Sequence, residues 1–241
     1  STQFREIEIK LGLNTHDRVS VDREFFLGRL NQKDRDKLVA LEGSPSLLRL
    51  VEAWLERTPF TKTKDFDFWA EYKKSIGRIL ADDEKTIQEN LANLGELEKK
   101  AQLENLRITK ETFDSLFDAE AHKKLVEAGQ RKISQKAILN ALFILLYRDE
   151  PMLALPYKMI SLMMDIDENF TAWRQRHALM AQRMLGTKIG TGGSSGHQYL
   201  KRAADSNRVF VDFFNLSTYL IPRSQLPKIP IDVKKQLNFA H

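Results

Sequence analysis

The sequence predicts an all-α fold. Apolar side chains recur at spacings of three and four residues through most of the 241-residue chain, which is the period of a helix with one buried face. Only residues 209–221 (VFVDFFNLSTYLI) have a strand-like composition, and a single strand would have no partner. We therefore expect short helix or ordered coil there, and a helical bundle in which residues 1–241 form one domain.

The clearest helical patterns lie at residues 3–11, 44–57, 134–147 and 166–185. The helix at 134–147 is apolar nearly all round, which indicates burial on most sides. We expect Pro151 and Pro156 to interrupt the chain before the helix at 166–185. A further short helix is expected at 197–204. The tail after residue 221 carries three prolines and is expected to be extended.

A long, strongly charged helical region is predicted from about residue 66 to residue 106. Trp69, Ile76, Leu80 and Ile87 give it an apolar stripe, and its later part (ELEKKAQLENL) is rich in Glu, Lys and Leu. This composition is typical of a solvent-exposed pair of helices. We therefore expect a protruding charged helical hairpin, an excursion from the bundle at about residues 64–110.

Composition excludes several classes of protein. The chain has no cysteine, so it forms no disulfide, thiolate metal site or cysteine nucleophile, and this fits a cytoplasmic protein. It has no apolar run of about 18 residues, so no membrane span is expected, and its first residues do not resemble a signal peptide. Its 38 basic and 33 acidic residues are interleaved, which disfavours nucleic-acid binding.

His177 is the first candidate functional residue. It shares one helical face with large apolar side chains, and we expect this face to point inward: Phe170, Trp173, Met180 and Met184. One interpretation is a core histidine that is hydrogen-bonded to a carbonyl or buried water. A zinc site is a poor fit, because zinc needs three or four protein ligands. The other interpretation is the single protein ligand of a haem iron, since the porphyrin supplies four nitrogens.

The glycine-rich stretch GTGGSSG at residues 190–196 is the second candidate. No Lys-Ser or Lys-Thr follows it, so it is not a P-loop, and Ser195 stands where a dinucleotide-binding fingerprint needs its third glycine. A flexible linker remains one interpretation. The other is a functional loop, because glycines let a backbone approach a flat ligand closely and Thr191 adds a hydroxyl.

Several motifs occur in an order that resembles the tryptophan 2,3-dioxygenase family, including its animal members. They are LVEAWLERTP at 50–59, LMMDID at 162–167, WRQRH at 173–177, RMLG at 183–186, GTGGSSG at 190–196 and FNLSTYLIP at 214–222. The combination is specific although no single motif is, and the similarity covers nearly the whole chain.

The resemblance implies an all-α enzyme, with one b-type haem in each subunit of a homotetramer. Its reaction inserts both atoms of O2 into the indole ring of L-tryptophan and gives N-formyl-L-kynurenine, the first step of the kynurenine pathway. By this resemblance His177 falls on the proximal haem ligand. Thr191 falls on a threonine that contacts the polar end of the amino acid, and Arg5 on the arginine that pairs with its carboxylate. Without the resemblance, Arg5 would be interpreted as a surface arginine.

The family also carries an upstream segment with a distal-side histidine and a phenylalanine that lines the indole pocket, for which this sequence has no match. We therefore expect the chain to be a C-terminal portion that works with the N-terminal portion of the same enzyme. The alternative is an all-helical interaction module without a cofactor. The charged helices and the lack of a match to the upstream segment suggest this alternative.

Overall fold

The computed structural model describes residues 2–13, 24, 27–90, 95–185 and 208–238. The all-α prediction is confirmed in these residues, where no strand occurs and a lone bridge joins Lys62 to Asp67. The helices in this part of the chain are α1 (Thr2–Leu11), α2 (Gln32–Glu42), α3 (Leu47–Leu55), α4 (Phe68–Asn90), α5 (Glu96–Phe117), α6 (Ala119–Glu127), α7 (Gln135–Leu146), α8 (Pro151–Leu185), α9 (Val211–Asn215) and α10 (Ile231–Leu237), with 3-10 turns at Leu216–Tyr219 and Arg223–Gln225. In the described ranges, no helix combines the length and hydrophobicity needed to cross a bilayer.

The chain divides into two compact units, and each is built from two separate stretches of sequence. The first unit comprises Ser1–Trp54 and Ile160–Phe214, and the second comprises Leu55–Met159 and Asn215–His241. Helix α8 contributes residues to both. The prediction of one domain over residues 1–241 stays a prediction.

In the first unit, a glycine ends α1 and sets its approach to α3. Gly12 has a φ of +123°, and its N–H donates to the carbonyl groups of Glu8 and Ile9, each at 3.1 Å. A Cβ at this position would lie 2.8 Å from the Cβ of Leu48, closer than such atoms pack. Only glycine therefore fits both the backbone and the space at this helix end.

In the second unit, the apolar helix α7 lies at the centre, as its sequence predicts. Ser134 caps it by accepting the N–H of Ala137 at 3.2 Å, and α7 is buried along nearly its whole length. The hydroxyl group of Tyr72 donates to the carbonyl of Tyr219, and that of Tyr147 donates to the carbonyl of Pro227 at 2.6 Å. The polar ends of these buried aromatic rings are thus satisfied by backbone groups.

The predicted charged hairpin corresponds to α4 and α5. Trp69 contacts Phe117 with ring centroids 6.1 Å apart, and the Nζ of Lys110 donates to Glu84 at 2.8 Å, so the two helices pair in antiparallel fashion. Ion pairs at helical spacing cover their surface, for example Lys99 with Glu96. The pair extends beyond the predicted excursion at 64–110, to Phe117. That it protrudes stays a prediction.

The prediction for Pro151 is confirmed, because this residue lies at the break between α7 and α8, whereas the prediction for Pro156 is wrong. Helix α8 begins at Pro151 and continues through Pro156, instead of starting at residue 166. Pro151 loses nothing in the first turn, where N–H groups lack intrahelical partners, and Pro156 removes only one hydrogen bond from a 35-residue helix.

The tail is not extended throughout, because α10 follows Pro230. Val233 and Leu237 lie one turn apart in α10 and are both buried, so their packing outweighs the prolines before them. Short helix and 3-10 turn at 211–219 confirm the prediction for the strand-like segment. The short helix expected at 197–204 lies outside the described residues.

Candidate functional site

Stacked aromatic rings join α1 to α8 within the first unit. Phe4 lies against Trp173 with ring centroids 4.3 Å apart and planes 24° apart, and it also contacts Phe170 at 5.6 Å. The Trp173 ring is parallel to the imidazole of His177, with centroids 5.1 Å apart and planes 4° apart. The orientation of the imidazole is therefore set by a ring that α1 itself holds in place.

His177 is half-buried, and no hydrogen bond from the described residues engages its ring nitrogens. His122 shows the contrasting arrangement, because its Nε2 lies 3.1 Å from the carbonyl oxygen of Ile133. The interpretation of His177 as a histidine satisfied by a carbonyl therefore has no partner group among the described residues, whereas His122 has one. Nor do the described residues contain a cluster of three or more His, Asp or Glu suited to a metal ion.

The prediction that the His177 face points inward is wrong for three of its five residues, while Phe170 and His177 are half-buried. Trp173, Met180 and Met184 are 46%, 53% and 76% exposed, whereas Arg174 and Ala178 are buried. The buried face lies about 100° around the helix, because consecutive residues are offset by that angle. Arg174 is buried together with its charge partner Glu8 on α1, and apolar periodicity alone does not reveal such pairing.

This exposed apolar face provides the chemistry that a haem requires. One imidazole would hold the iron, and the flanking indole and thioether groups would offer apolar surface to the flat macrocycle. Residues of α8 suited to this contact are His177, Trp173, Met180 and Met184.

Arg5 is buried in α1, so its interpretation as a surface arginine is wrong. It is only 3% exposed, and its Nη1 donates to Oε2 of Glu8 at 3.3 Å. The other oxygen of the same carboxylate, Oε1, accepts Nη2 of Arg174 at 3.0 Å. Glu8 thus bridges two guanidinium groups, one on each helix of the α1–α8 contact.

The rings and the charges occupy adjacent parts of this contact. The guanidinium of Arg174 lies over the rings of Phe4 and Phe170, 5.9 and 5.7 Å from their centroids. Burial lowers the pKa of Arg174, and the negative charge of Asp167 opposes that shift. Arginine stays charged despite such shifts, so the cluster is ionic at physiological pH.

Sequence reasoning missed Glu8 and Arg174 as members of the site. The spacing of Arg5 and Glu8, three residues on a helix, is a visible signal, because side chains at that spacing are neighbours. Arg174 carries no comparable signal, because its contact with Glu8 spans 166 residues of sequence. Thr191 and the glycine-rich stretch at 190–196 lie outside the described residues, so the role predicted for Thr191 stays a prediction.

Residues 1–220 match the family model described as tryptophan 2,3-dioxygenase. The chain is 47% identical over 239 residues to tryptophan 2,3-dioxygenase of Alteromonas mediterranea, covering 99% of this chain and 66% of that protein. It is 45% identical over 241 residues to tryptophan 2,3-dioxygenase of Bdellovibrio bacteriovorus, and the alignment covers 100% of this chain and 67% of that protein. It is 43% identical over 241 residues to tryptophan 2,3-dioxygenase of Dictyostelium discoideum, and the alignment covers 100% of this chain and 60% of that protein.

The chain therefore spans about three fifths to two thirds of the length of these relatives. The match nonetheless includes α1 with Arg5 and α8 with His177, so the helices that build the candidate site are both within it. The extent of the match and these levels of identity identify the chain as a member of the tryptophan 2,3-dioxygenase family.

Proposed function

We propose that this chain forms part of a haem-dependent dioxygenase. The enzyme would insert both atoms of O2 into the indole ring of L-tryptophan and give N-formyl-L-kynurenine, the first step of tryptophan catabolism by the kynurenine pathway. Family membership and the name shared by the relatives support this proposal. The observation that carries it is the stack of Phe4, Trp173 and His177, which joins the Arg5 helix to the His177 helix.

His177 is the residue proposed to hold the haem b iron. Its imidazole would hold the iron, and Trp173, Met180 and Met184 would offer apolar surface to the macrocycle. When bound, the haem supplies the redox-active iron that activates dioxygen. The stacked Trp173 ring keeps the imidazole plane in one orientation, so that less freedom is lost when the ligand bond forms.

Arg5 is the residue proposed to bind the carboxylate of tryptophan. A planar guanidinium can hold a carboxylate through two parallel hydrogen bonds, and a charged hydrogen bond contributes about 1.5–3 kcal/mol. Because Arg5 is buried, water competes weakly for this contact. Thr191 is proposed to contact the polar end of the same substrate. Together these residues would fix the amino-acid end and so place the indole for reaction.

The assembly around this chain is also part of the proposal. The chain spans about three fifths to two thirds of the length of its relatives, and we propose that the N-terminal portion of the same enzyme completes the distal side of the pocket. The complete enzyme is proposed to be a cytoplasmic homotetramer. The alternative function is an interaction module without a cofactor. The experiment described next would favour this alternative if the protein contained no haem.

The test compares two histidines in the natural gene product that contains this chain. His177→Ala should abolish the haem Soret absorption band, because it removes the proposed iron ligand. His122→Ala should retain that band, because His122 contacts the carbonyl of Ile133. Bound haem would be measured by absorbance and by extraction of the porphyrin, and N-formyl-L-kynurenine by its ultraviolet absorbance.

Two results would contradict the proposal. Haem content that is the same in His177→Ala and in the unaltered protein would remove His177 as the ligand. Unaltered protein that contains no haem and forms no product from tryptophan would leave the interaction module as the better account of the chain.

A further inference from the structure

Glu8 occupies a position for which the proposed reaction has so far given no role. Its carboxylate is 1% exposed and lies between two guanidinium groups, with Oε2 toward Arg5 and Oε1 toward Arg174. Each oxygen therefore accepts from a different helix. Burying a carboxylate is costly unless it is paired, so this arrangement holds all three side chains in a narrow range of positions.

The geometry connects the two ends of the candidate site. Arg5 is the proposed substrate-binding residue, and Arg174 precedes the proposed haem ligand His177 by three residues in α8. A single carboxylate thus ties Arg5 to the helix that carries the ligand. An arginine side chain has several rotatable bonds. When Glu8 already fixes the guanidinium of Arg5, less entropy is lost on binding the substrate carboxylate.

We propose that Glu8 is a positioning residue that orients Arg5 for the carboxylate of the amino-acid substrate, with Arg174 fixing the opposite oxygen of Glu8. This inference rests on the proposed function. Glu8 acts through Arg5 and does not itself touch the substrate. Replacement of Glu8 should consequently reduce the preference for a ligand with a carboxylate. It should change haem content much less.

The test measures that preference in the natural gene product that contains this chain. Tryptophan and tryptamine, which lacks the carboxylate, would be titrated against unaltered protein, Glu8→Gln, Glu8→Asp and the control Glu6→Gln. Glu6 lies on the same helix, and its carboxylate pairs with Lys37 at 2.7 Å. Dissociation constants, KM, kcat, Soret absorbance and melting temperature would be recorded for each protein.

We expect Glu8→Gln to weaken tryptophan binding about ten-fold or more, the size of one charged hydrogen bond, while tryptamine binding changes little. The preference for tryptophan should shrink accordingly, KM should rise more than kcat falls, and haem content should stay unchanged. Glu8→Asp keeps the charge on a shorter side chain and should give a smaller loss of the same kind. Glu6→Gln should behave like the unaltered protein.

An equal loss for both ligands, or no loss for either, would overturn the role of Glu8 while leaving the proposed function intact. Where Glu8→Gln does not fold, Glu8→Asp decides the matter by the same comparison of the two ligands. Unaltered protein that binds tryptophan and tryptamine equally well would instead contradict the carboxylate role of Arg5, and the role of Glu8 would fail with it.

Discussion

The carboxylate of Asp167 accepts the backbone N–H of Phe210 at 2.6 Å, across 43 residues of sequence. Its other oxygen accepts the N–H of Val209 at 2.9 Å. Asp167 is 2% exposed, so α8 holds the segment before α9 through two charge-assisted hydrogen bonds in a buried setting. The LMMDID motif at 162–167 thus has a structural reason to end in aspartate.

Replacement of Asp167 should destabilise the protein. Asp167→Asn keeps one acceptor oxygen but loses the charge and turns a second acceptor into a donor, so we expect a loss of about 2–4 kcal/mol in the free energy of unfolding. Equilibrium unfolding in urea measures this loss. Asp165→Asn is the matched control, since Asp165 is exposed on the same helix and should change the free energy by less than about 0.5 kcal/mol. Equal effects of the two substitutions would contradict the role given to Asp167.

Two glycines should respond to alanine in opposite directions. In Gly12→Ala the new side chain would require a φ of +123° and would place its Cβ 2.8 Å from the Cβ of Leu48. We therefore expect the free energy of unfolding to fall by about 1–3 kcal/mol. Gly77 lies inside α4 with no atom close to an added Cβ, so Gly77→Ala should stabilise the protein by about 0.4–1 kcal/mol. Thermal unfolding of both variants provides the measurement. A stabilising effect of Gly12→Ala would show that the end of α1 is not held as described.

The local features of this fold could be predicted from the sequence. Helix α7 combines an apolar stretch with a serine at its N-terminus, and both its position and its burial follow from those nearby residues. The antiparallel pair α4–α5 likewise follows from local charge and periodicity. Pro156 misled the prediction because the cost of one proline is small beside the packing of a 35-residue helix, and that packing depends on distant residues.

The candidate site could be predicted only in part. His177 and Arg5 were found through motifs, but apolar periodicity placed the His177 face inward, whereas the buried face carries Arg174. A charged side chain becomes buried when a partner neutralises it, and that partner, Glu8, lies 166 residues away. Pairing at such a distance leaves no mark in the spacing of either helix.

Trp173 should control how firmly the haem is held. Its indole lies between Phe4 and His177, and aromatic pairs of this kind contribute about 0.5–1.5 kcal/mol each beyond the burial of area. Trp173→Ala should therefore weaken haem binding by about two- to ten-fold, and Trp173→Phe should weaken it less. Titration of the haem-free protein with haem, followed at the Soret band, gives the affinity.

The control for Trp173 is a tryptophan in the second unit. Trp69 packs against Phe68 and Phe117 within the second unit, so Trp69→Phe should leave haem affinity unchanged. Haem affinity that is unaltered in Trp173→Ala would show that the stacked ring does not orient the imidazole.

Two buried tyrosines should make the protein sensitive to alkaline pH. Burial raises the pKa of Tyr72, with smaller contributions from Tyr219 and Tyr147, and burial also raises the pKa of Tyr147, with a smaller contribution from Glu150. The folded protein therefore binds these phenolic protons more tightly than the unfolded chain, in which tyrosine titrates near pH ~10. Their contribution to stability is fully present below that pH and is lost as the pH rises toward the folded-state pKa values.

The expected slope is about 1.4 kcal/mol of unfolding free energy per pH unit for each tyrosine, above pH ~10. Tyr72→Phe should remove one of the two contributions and the double variant with Tyr147→Phe should remove both, because phenylalanine has no proton to lose. Each substitution also leaves a backbone carbonyl without its donor, at a cost of about 1–3 kcal/mol at neutral pH. Urea unfolding between pH 8 and pH ~11 separates the two effects, since the lost hydrogen bond lowers stability at every pH whereas the titration changes only the slope. A slope in the double variant equal to that of the unaltered protein would mean that other groups cause the alkaline loss.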